Sequence, residues 1–281
     1  MKTTSLSRTE SGLRIAGMIV LLLLTVVALM PLYWMLTGSF KIMSDTMKMP
    51  PEWFPVAPTL ENYRILFVNN PTTQWLINSV IVAGCAALGA IFTSALAGYA
   101  FGKKVFPGRT ILFWCMLITM MLPNEVMLIP RFLLVAELGW MNSYSGLIVP
   151  FLAYPFGVFL VKQFMQSVPN ELLEAAKMDG AGELRTFTAI VLPIAKPAIG
   201  SVGIFAFVAV WNEYLWQLVV VDQKEMLTLP LGVSKLAYGI DTIHLGLAMA
   251  GGTVAFMPML LFFLAFQRFF VKGITVGALK G

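Results

Sequence analysis

Six stretches of this 281-residue chain are apolar for long enough to cross a hydrocarbon core, which is about 30 Å thick and takes roughly 20 helical residues to span. They fall at 13–36, 76–101, 110–130, 144–164, 198–221 and 246–271. Lipid offers no partners to backbone polar groups, and apolar runs without strand alternation can satisfy their own only as helices. The chain is 58% hydrophobic and 12% charged, where a soluble domain is about 25% charged. These features predict an all-α integral membrane protein with six transmembrane helices. It reads as a single membrane domain over 1–281, with no soluble domain attached.

Lys and Arg collect in cytoplasmic connections. Taken in alternate segments from the N-terminus, one side holds most of the 19 basic residues, and the tight cluster Lys103, Lys104 and Arg109 lies in a very short connection on that side. Both termini, that connection and the loop at 165–197 are therefore expected in the cytoplasm, with the long 37–75 connection outside. Lys2, Arg8 and Arg14 precede the first span as in a signal peptide. Its apolar run exceeds the roughly 7–15 residues of an h-region, however, and no small-x-small cleavage site follows, so it reads as a retained span. Cys85 and Cys115 sit in apolar runs and His244 is the single histidine, a pattern that points to neither a disulfide framework nor a metal site. The basic excess reports topology, not a nucleic-acid partner.

Packing has its own signature. Ala86, Ala90, Ser94 and Gly98 recur every four residues, a flat stripe on which another helix can come close. The last span repeats the device with Ala248/Gly252 and Gly251/Ala255, and Pro258 should bend it.

The segment "NELLEAAKMDGAGELRTFTAIVLP" (Asn170 to Pro193) is the longest charged, helix-favouring stretch. Pro169 suits a helix start and Asn170 a cap. Leu172, Leu173, Ala175, Ala176 and Met178 fall on one side, and Glu171, Glu174 and Lys177 on the other. Asp179-Gly180 ends this helix through the left-handed conformation glycine accepts. A second short helix through Leu184, Phe187 and Ile190 should run to Pro193, with Pro197 marking entry to the next span. Such a helix–turn–helix cannot form a core alone. Either it lies on the lipid surface, which favours a basic polar face with bulky anchors, or it docks on a cytoplasmic partner. Its largely acidic polar face favours docking.

Glu174-Ala175-Ala176, Gly180, nine further residues, then Ile190-x-Leu192-Pro193 resemble the EAA loop of ABC importer permeases. Asp179-Gly180-Ala181 and Phe187 resemble the form found in sugar permeases. "PPEWFPVAPTLENYRILF" (Pro50–Phe67), "MLPNEV" (Met121–Val126), "WNEYLW" (Trp211–Trp216) and the tail "FVKGITVGALKG" (Phe270–Gly281) are similar to the maltose-permease branch, so the resemblance covers nearly the whole chain. It implies a bacterial plasma (inner) membrane importer with a second, homologous permease subunit, two cytoplasmic ATPases and an external substrate-binding protein. The loop would sit in a cleft on the ATPase, with Glu174 facing a basic group and Gly180 forming the turn, and the tail would reach the ATPases. No G-x-x-x-x-G-K-[ST] phosphate loop occurs; "GYAFGKKV" (Gly98–Val105) has the wrong spacing. The chain is thus expected to be no enzyme and to carry no cofactor, ATP and Mg being bound by the partner ATPase.

Within the spans, Glu125 and Glu213 are the two acids at depth. A carboxylate at the bilayer centre costs about 2.5–3.5 kcal/mol on insertion scales, which argues against lipid-facing positions. Asn212, Glu213, Trp216 and Gln217 fit one helical arc, and with Glu125 they are the candidate substrate path. Three readings compete: Trp211, Tyr214 and Trp216 as an interfacial belt, Asn212 and Glu213 as bonds to a neighbouring helix or subunit, and direct contact with substrate. Pro123 should break the third span, and Arg131 is the one basic group near its outer end. Trp53, Phe54 and Tyr63 either pack at the outer surface or receive the binding protein. The favoured reading is a permease for a di- or oligosaccharide. Import of glycerol phosphate or a polyol by the same mechanism, or a secondary transporter, are the alternatives.

Overall fold

The computed structural model describes residues 8–237 and 244–278, with no strand among the described residues. Helix α1 (Arg8–Gly38) is followed by the single turn α2 (Met43–Thr46) and by α3 (Glu61–Val68). Next come α4 (Thr72–Lys103), α5 (Arg109–Thr119), α6 (Leu128–Glu137), α7 (Tyr144–Ile148) and α8 (Pro155–Ser167). α9 (Glu171–Met178) and α10 (Glu183–Thr186) lead through a π-helical turn at Phe187–Val191 into α11 (Leu192–Trp211). α12 (Leu215–Val220), α13 (Leu229–Ala237) and α14 (Leu245–Ala278) follow. Lys2 and the last tail residues, 279–281, lie outside the described residues; α14 carries the backbone of the tail motif as far as Ala278.

Among the described residues five helical stretches are long and apolar enough to cross a membrane: Arg14–Gly38, Thr72–Lys103, Tyr144–Ser167, Glu183–Trp211 and Leu245–Gln267. The expected third span, 110–130, is instead two helices, α5 and α6, joined by a non-helical stretch around Pro123. Proline lacks the N–H a helix needs and pushes Leu122 before it out of the helical region. Successive turns, with the Val126 amide on the Pro123 carbonyl and the Met127 amide on the Asn124 carbonyl, take the helix's place.

The expected fourth span, 144–164, is interrupted at Leu152–Tyr154, between Pro150 and Pro155. A carbonyl freed there finds a neighbour: Thr93 Oγ1 on α4 donates to the Leu152 carbonyl at 2.6 Å. The expected fifth span, 198–221, begins earlier and ends earlier. The second arm of the 165–197 loop does not stop at Pro193. It continues from Glu183 to Trp211 with Pro193 and Pro197 inside the helix. The wider π turn just before Leu192 lets Pro193 enter at the first turn of α11, where its missing N–H is tolerated.

The chain divides into two units, residues 1–70 with 233–254, and residues 71–232 with 255–281. In the first, Gly38 and Gly252 approach the thioethers of Met249 and Met35, and Gly251 meets Val233. The aromatic residues of its long connection fold back on α1: Trp53 stands edge-on to Trp34 and Phe54 to Tyr33, with centroids 5.9 and 5.8 Å apart. Tyr63 Oη lies 2.8 Å from Ser39 Oγ. Lys41 is buried, its ammonium 4.6 Å above the Trp34 ring and bonded to the Glu52 carbonyl.

The second unit is built on α4, which packs against α8 and α11. Ala86, Ala90, Ser94 and Gly98 are all buried, as the four-residue stripe requires. The approach is backbone-close, since a Cβ on Gly98 would lie 2.5 Å from Val161 Cβ and one on Gly157 2.3 Å from Ser94 Oγ. Ala95, Tyr99, Val161, Met165, Phe187, Val191 and Val202 form the core beneath the Asn170–Pro193 arm. At the other end of α4, Trp75 Nε1 donates to the Lys224 carbonyl at 2.7 Å and Asn78 Nδ2 to the Leu227 carbonyl at 2.9 Å.

Candidate functional site

The arm is a hinge of two helices around Gly180. The glycine adopts φ 74°, a conformation costly to any residue with a Cβ, and the Ala181 amide closes the turn on the Ala176 carbonyl at 2.9 Å. Asn170 does not cap α9 with its side chain. That oxygen is taken by Lys103 Nζ at 2.7 Å, and Lys103 also donates to the Val168 carbonyl at 2.5 Å. Lys104 Nζ pairs with Glu183 Oε2 at 2.5 Å and sits 5.0 Å above the Tyr99 ring. Partial burial is the largest single influence on the Lys104 ammonium and works against its charge. The hydrogen bonds and charge attraction of Glu183 and Tyr99 together outweigh it and hold the amine above its usual range.

The apolar side of the arm divides. Leu173 and Ala176 turn inward with Phe187, while Ala175 faces out. Leu172, Met178 and Leu184 also face out, 45%, 88% and 76% exposed. Glu174, Asp179 and Pro193 are exposed, and Ala181, Ile190 and Leu192 half-buried. Three large apolar side chains thus stand open around a turn rimmed by carboxylates.

A second locus lies where the helices break. A cavity of about 260 Å³ is lined by Asn124, Glu125, Arg131, Asn212, Glu213 and Trp216 among others. A second, of about 500 Å³, shares Asn124, Arg131 and Glu213 and adds Pro150, Phe151 and Tyr154. The interruptions at Pro123, at Leu152–Tyr154 and at Asn212–Tyr214 therefore all open on adjoining space. The expected arc on a continuous fifth span does not exist. The Asn212 side chain folds back to the Val208 carbonyl at 2.9 Å, and Glu213 Oε1 accepts from the Trp216 amide at 3.0 Å to start α12. Asn212, Glu213 and Trp216 remain on the cavity, joined by Glu125. Gln217 does not; it is buried against Val210 and Thr228.

Nor are the tryptophans an interfacial belt. Trp211 and Trp216 are buried in the protein. Trp216 donates its indole N–H to the Gly146 carbonyl at 3.0 Å, and the Arg131 guanidinium lies 5.3 Å above its ring. Arg131 thus meets two carboxylate residues, two amides and an indole around one opening, a set suited to hydroxyl groups and sugar-ring faces.

Residues 89–276 match the family described as "Binding-protein-dependent transport system inner membrane component". The chain is 36% identical over 273 residues to the arabinooligosaccharides transport system permease protein AraQ of Bacillus subtilis (strain 168), covering 95% of this chain and 96% of that one. It is 34% identical over 271 residues to the sn-glycerol-3-phosphate transport system permease protein UgpE of Salmonella typhi, covering 94% and 96%. In fold it is similar to a chain from the "Crystal structure of a bacterial ABC transporter involved in the import of the acidic polysaccharide alginate", with a TM-score of 0.83 over 95% of this chain and 100% of that one, at 20% identity.

Proposed function

The chain belongs to the binding-protein-dependent transport system inner membrane components, and on that premise we propose that it forms the path for a di- or oligosaccharide and couples that path to a separate ATPase through the Asn170–Pro193 arm. It is a multi-pass permease of the bacterial plasma membrane, a transport component and not an enzyme. Its complex comprises two ATPase subunits that bind ATP and Mg²⁺, a second permease chain and an external substrate-binding protein. Both termini and the arm face the cytoplasm, with the 109–137 segment completing a sixth crossing.

One observation carries the coupling role: the exposed apolar group Leu172, Met178 and Leu184 around the Gly180 turn. Surface of that kind at a helix hinge suits a partner cleft, and Glu174 beside it offers a carboxylate to a basic residue there. A Cβ on Gly180 would meet nothing within 4 Å in this chain, so a bulky side chain there projects outward. Gly180→Trp is expected to release the ATPase or abolish transport in the assembled complex. Normal ATPase retention and coupled uptake would defeat the docking role.

A second reading, import of glycerol phosphate, is favoured by the sn-glycerol-3-phosphate permease among the relatives and by Arg131 on the cavity. The solute that co-purifies with the external binding protein separates the two.

A further inference from the structure

Helix α4 ends in two lysines that reach opposite sides of the Gly180 turn. Lys103 holds the entry to α9, through the Val168 carbonyl and the Asn170 side chain. Val168 is the C-terminal cap of α8, so the ammonium also lies where that helix's carbonyl end is partly negative. Lys104 holds the exit, through Glu183 at the first residue of α10. Arg109 Nη1 donates to the Lys104 carbonyl at 2.8 Å and fixes the lysines' own loop.

Behind this grip α4 has little freedom to slide on α8. A Cβ on Gly102 would lie 2.6 Å from Met165 Cβ, and one on Gly98 2.5 Å from Val161 Cβ. Further along the same helix, Thr93 holds the Leu152 carbonyl at the break that lines the larger cavity. One rod is therefore tied at its end to both sides of the arm and in its middle to the wall of the opening.

We infer that Lys103 and Lys104 are positioning residues that relay movement of the arm to α4, and through Thr93 to the cavity wall. The inference rests on the reading of the arm as the place where the ATPase engages. Neither lysine would touch solute or nucleotide. In the Lys104–Glu183 pair the carboxylate is largely exposed and the lysine half-exposed. Ion pairs open to solvent add little to stability, so altering it tests transmission separately from folding.

The experiment uses the whole complex in liposomes, with both permease chains, the ATPases and the binding protein, and reads solute uptake against ATP hydrolysis. Lys104→Glu and Glu183→Lys are each expected to lower solute moved per ATP several-fold, with the ATPase still bound and its hydrolysis still stimulated by loaded binding protein. The double exchange K104E/E183K should recover most of the ratio, and Lys104→Arg should keep it. Lys103→Gln should lower it as the single reversals do. An unchanged ratio in the single variants, or a double variant no better than either, overturns the relay. Loss of bound ATPase from the single variants also overturns it, since the lysines would then build the docking surface, and leaves the docking reading standing. Gly180→Trp that still couples normally in the same preparation removes the docking reading itself.

Discussion

Tyr99 of α4 and Phe187 of the π turn pack ring against ring, with centroids 5.6 Å apart and planes tilted by 38°. Both are buried, and this contact seats the arm on the helices that carry it. Phe187 belongs to the arm motif, yet its ring faces the chain's own core. Its first role is to hold the docking surface in place from behind.

Truncation there should be costly. Phe187→Ala is expected to destabilise the protein by about 3–5 kcal/mol, the range for emptying a buried aromatic site. Tyr99→Phe should be far milder, because the ring stays against Phe187 and only the buried hydroxyl beside the Lys104–Glu183 pair is lost. Thermal unfolding of the detergent-solubilised protein checks both. A Tyr99→Phe variant as unstable as Phe187→Ala would mean that the hydroxyl, and not the ring, matters here.

Two glycines on α4 make a matched pair. Gly98→Ala places a methyl 2.5 Å from Val161 Cβ, whereas a Cβ on Gly84 meets nothing within 4 Å. Overpacking a tight helix contact costs about 1–3 kcal/mol. Gly98→Ala should therefore lower the melting temperature and Gly84→Ala should not. Equal effects at the two positions would show that helix propensity, and not the close approach of α4 to α8, sets the response.

These contacts also mark what could be read in advance. The stripe Ala86–Ala90–Ser94–Gly98 was legible because helix packing in lipid depends on local spacing. Gly180 was legible because only glycine accepts the left-handed turn freely, and Pro123 because its missing N–H acts locally. The break at Asn212–Tyr214 was not, since it contains neither proline nor glycine. Glu213 Oε1 there takes the Trp216 amide, which a continuous helix would have paired with the Asn212 carbonyl. The Asn212 side chain adds a second bond to a Val208 carbonyl that already accepts the Asn212 amide. Lys103 read only as a topology signal, because its partner carbonyl lies 65 residues further on. The division of the arm into inward Leu173 and outward Leu172 likewise depends on where α4 and α8 sit, which heptad-scale periodicity does not encode.

Thr93 offers a test of the broken fourth span. Its hydroxyl is the partner of the Leu152 carbonyl at 2.6 Å, and a carbonyl freed by a helix break in lipid has no water to turn to. Thr93→Val keeps the shape and removes the bond. A loss of about 1–3 kcal/mol is expected, the cost of leaving a buried polar group unpaired, together with reduced uptake. Thr93→Ser should restore both. If valine is tolerated in stability and in uptake, the break does not depend on α4.

Glu213 stands at the start of α12 and on both cavities, so its two roles have to be separated. As a cap it needs only an acceptor oxygen for the Trp216 amide, which glutamine also supplies. As a cavity group it supplies a charged acceptor facing solute hydroxyls, which glutamine does not. Glu213→Ala should lose about 0.5–2 kcal/mol of stability, the usual cost of removing a helix cap, and should lose uptake. Glu213→Gln should recover most of that stability while uptake stays low. Measured side by side, melting temperature and uptake per ATP then diverge in the glutamine variant alone. Uptake that returns with stability would assign Glu213 to the backbone of the break, leaving Glu125 as the carboxylate that faces the solute.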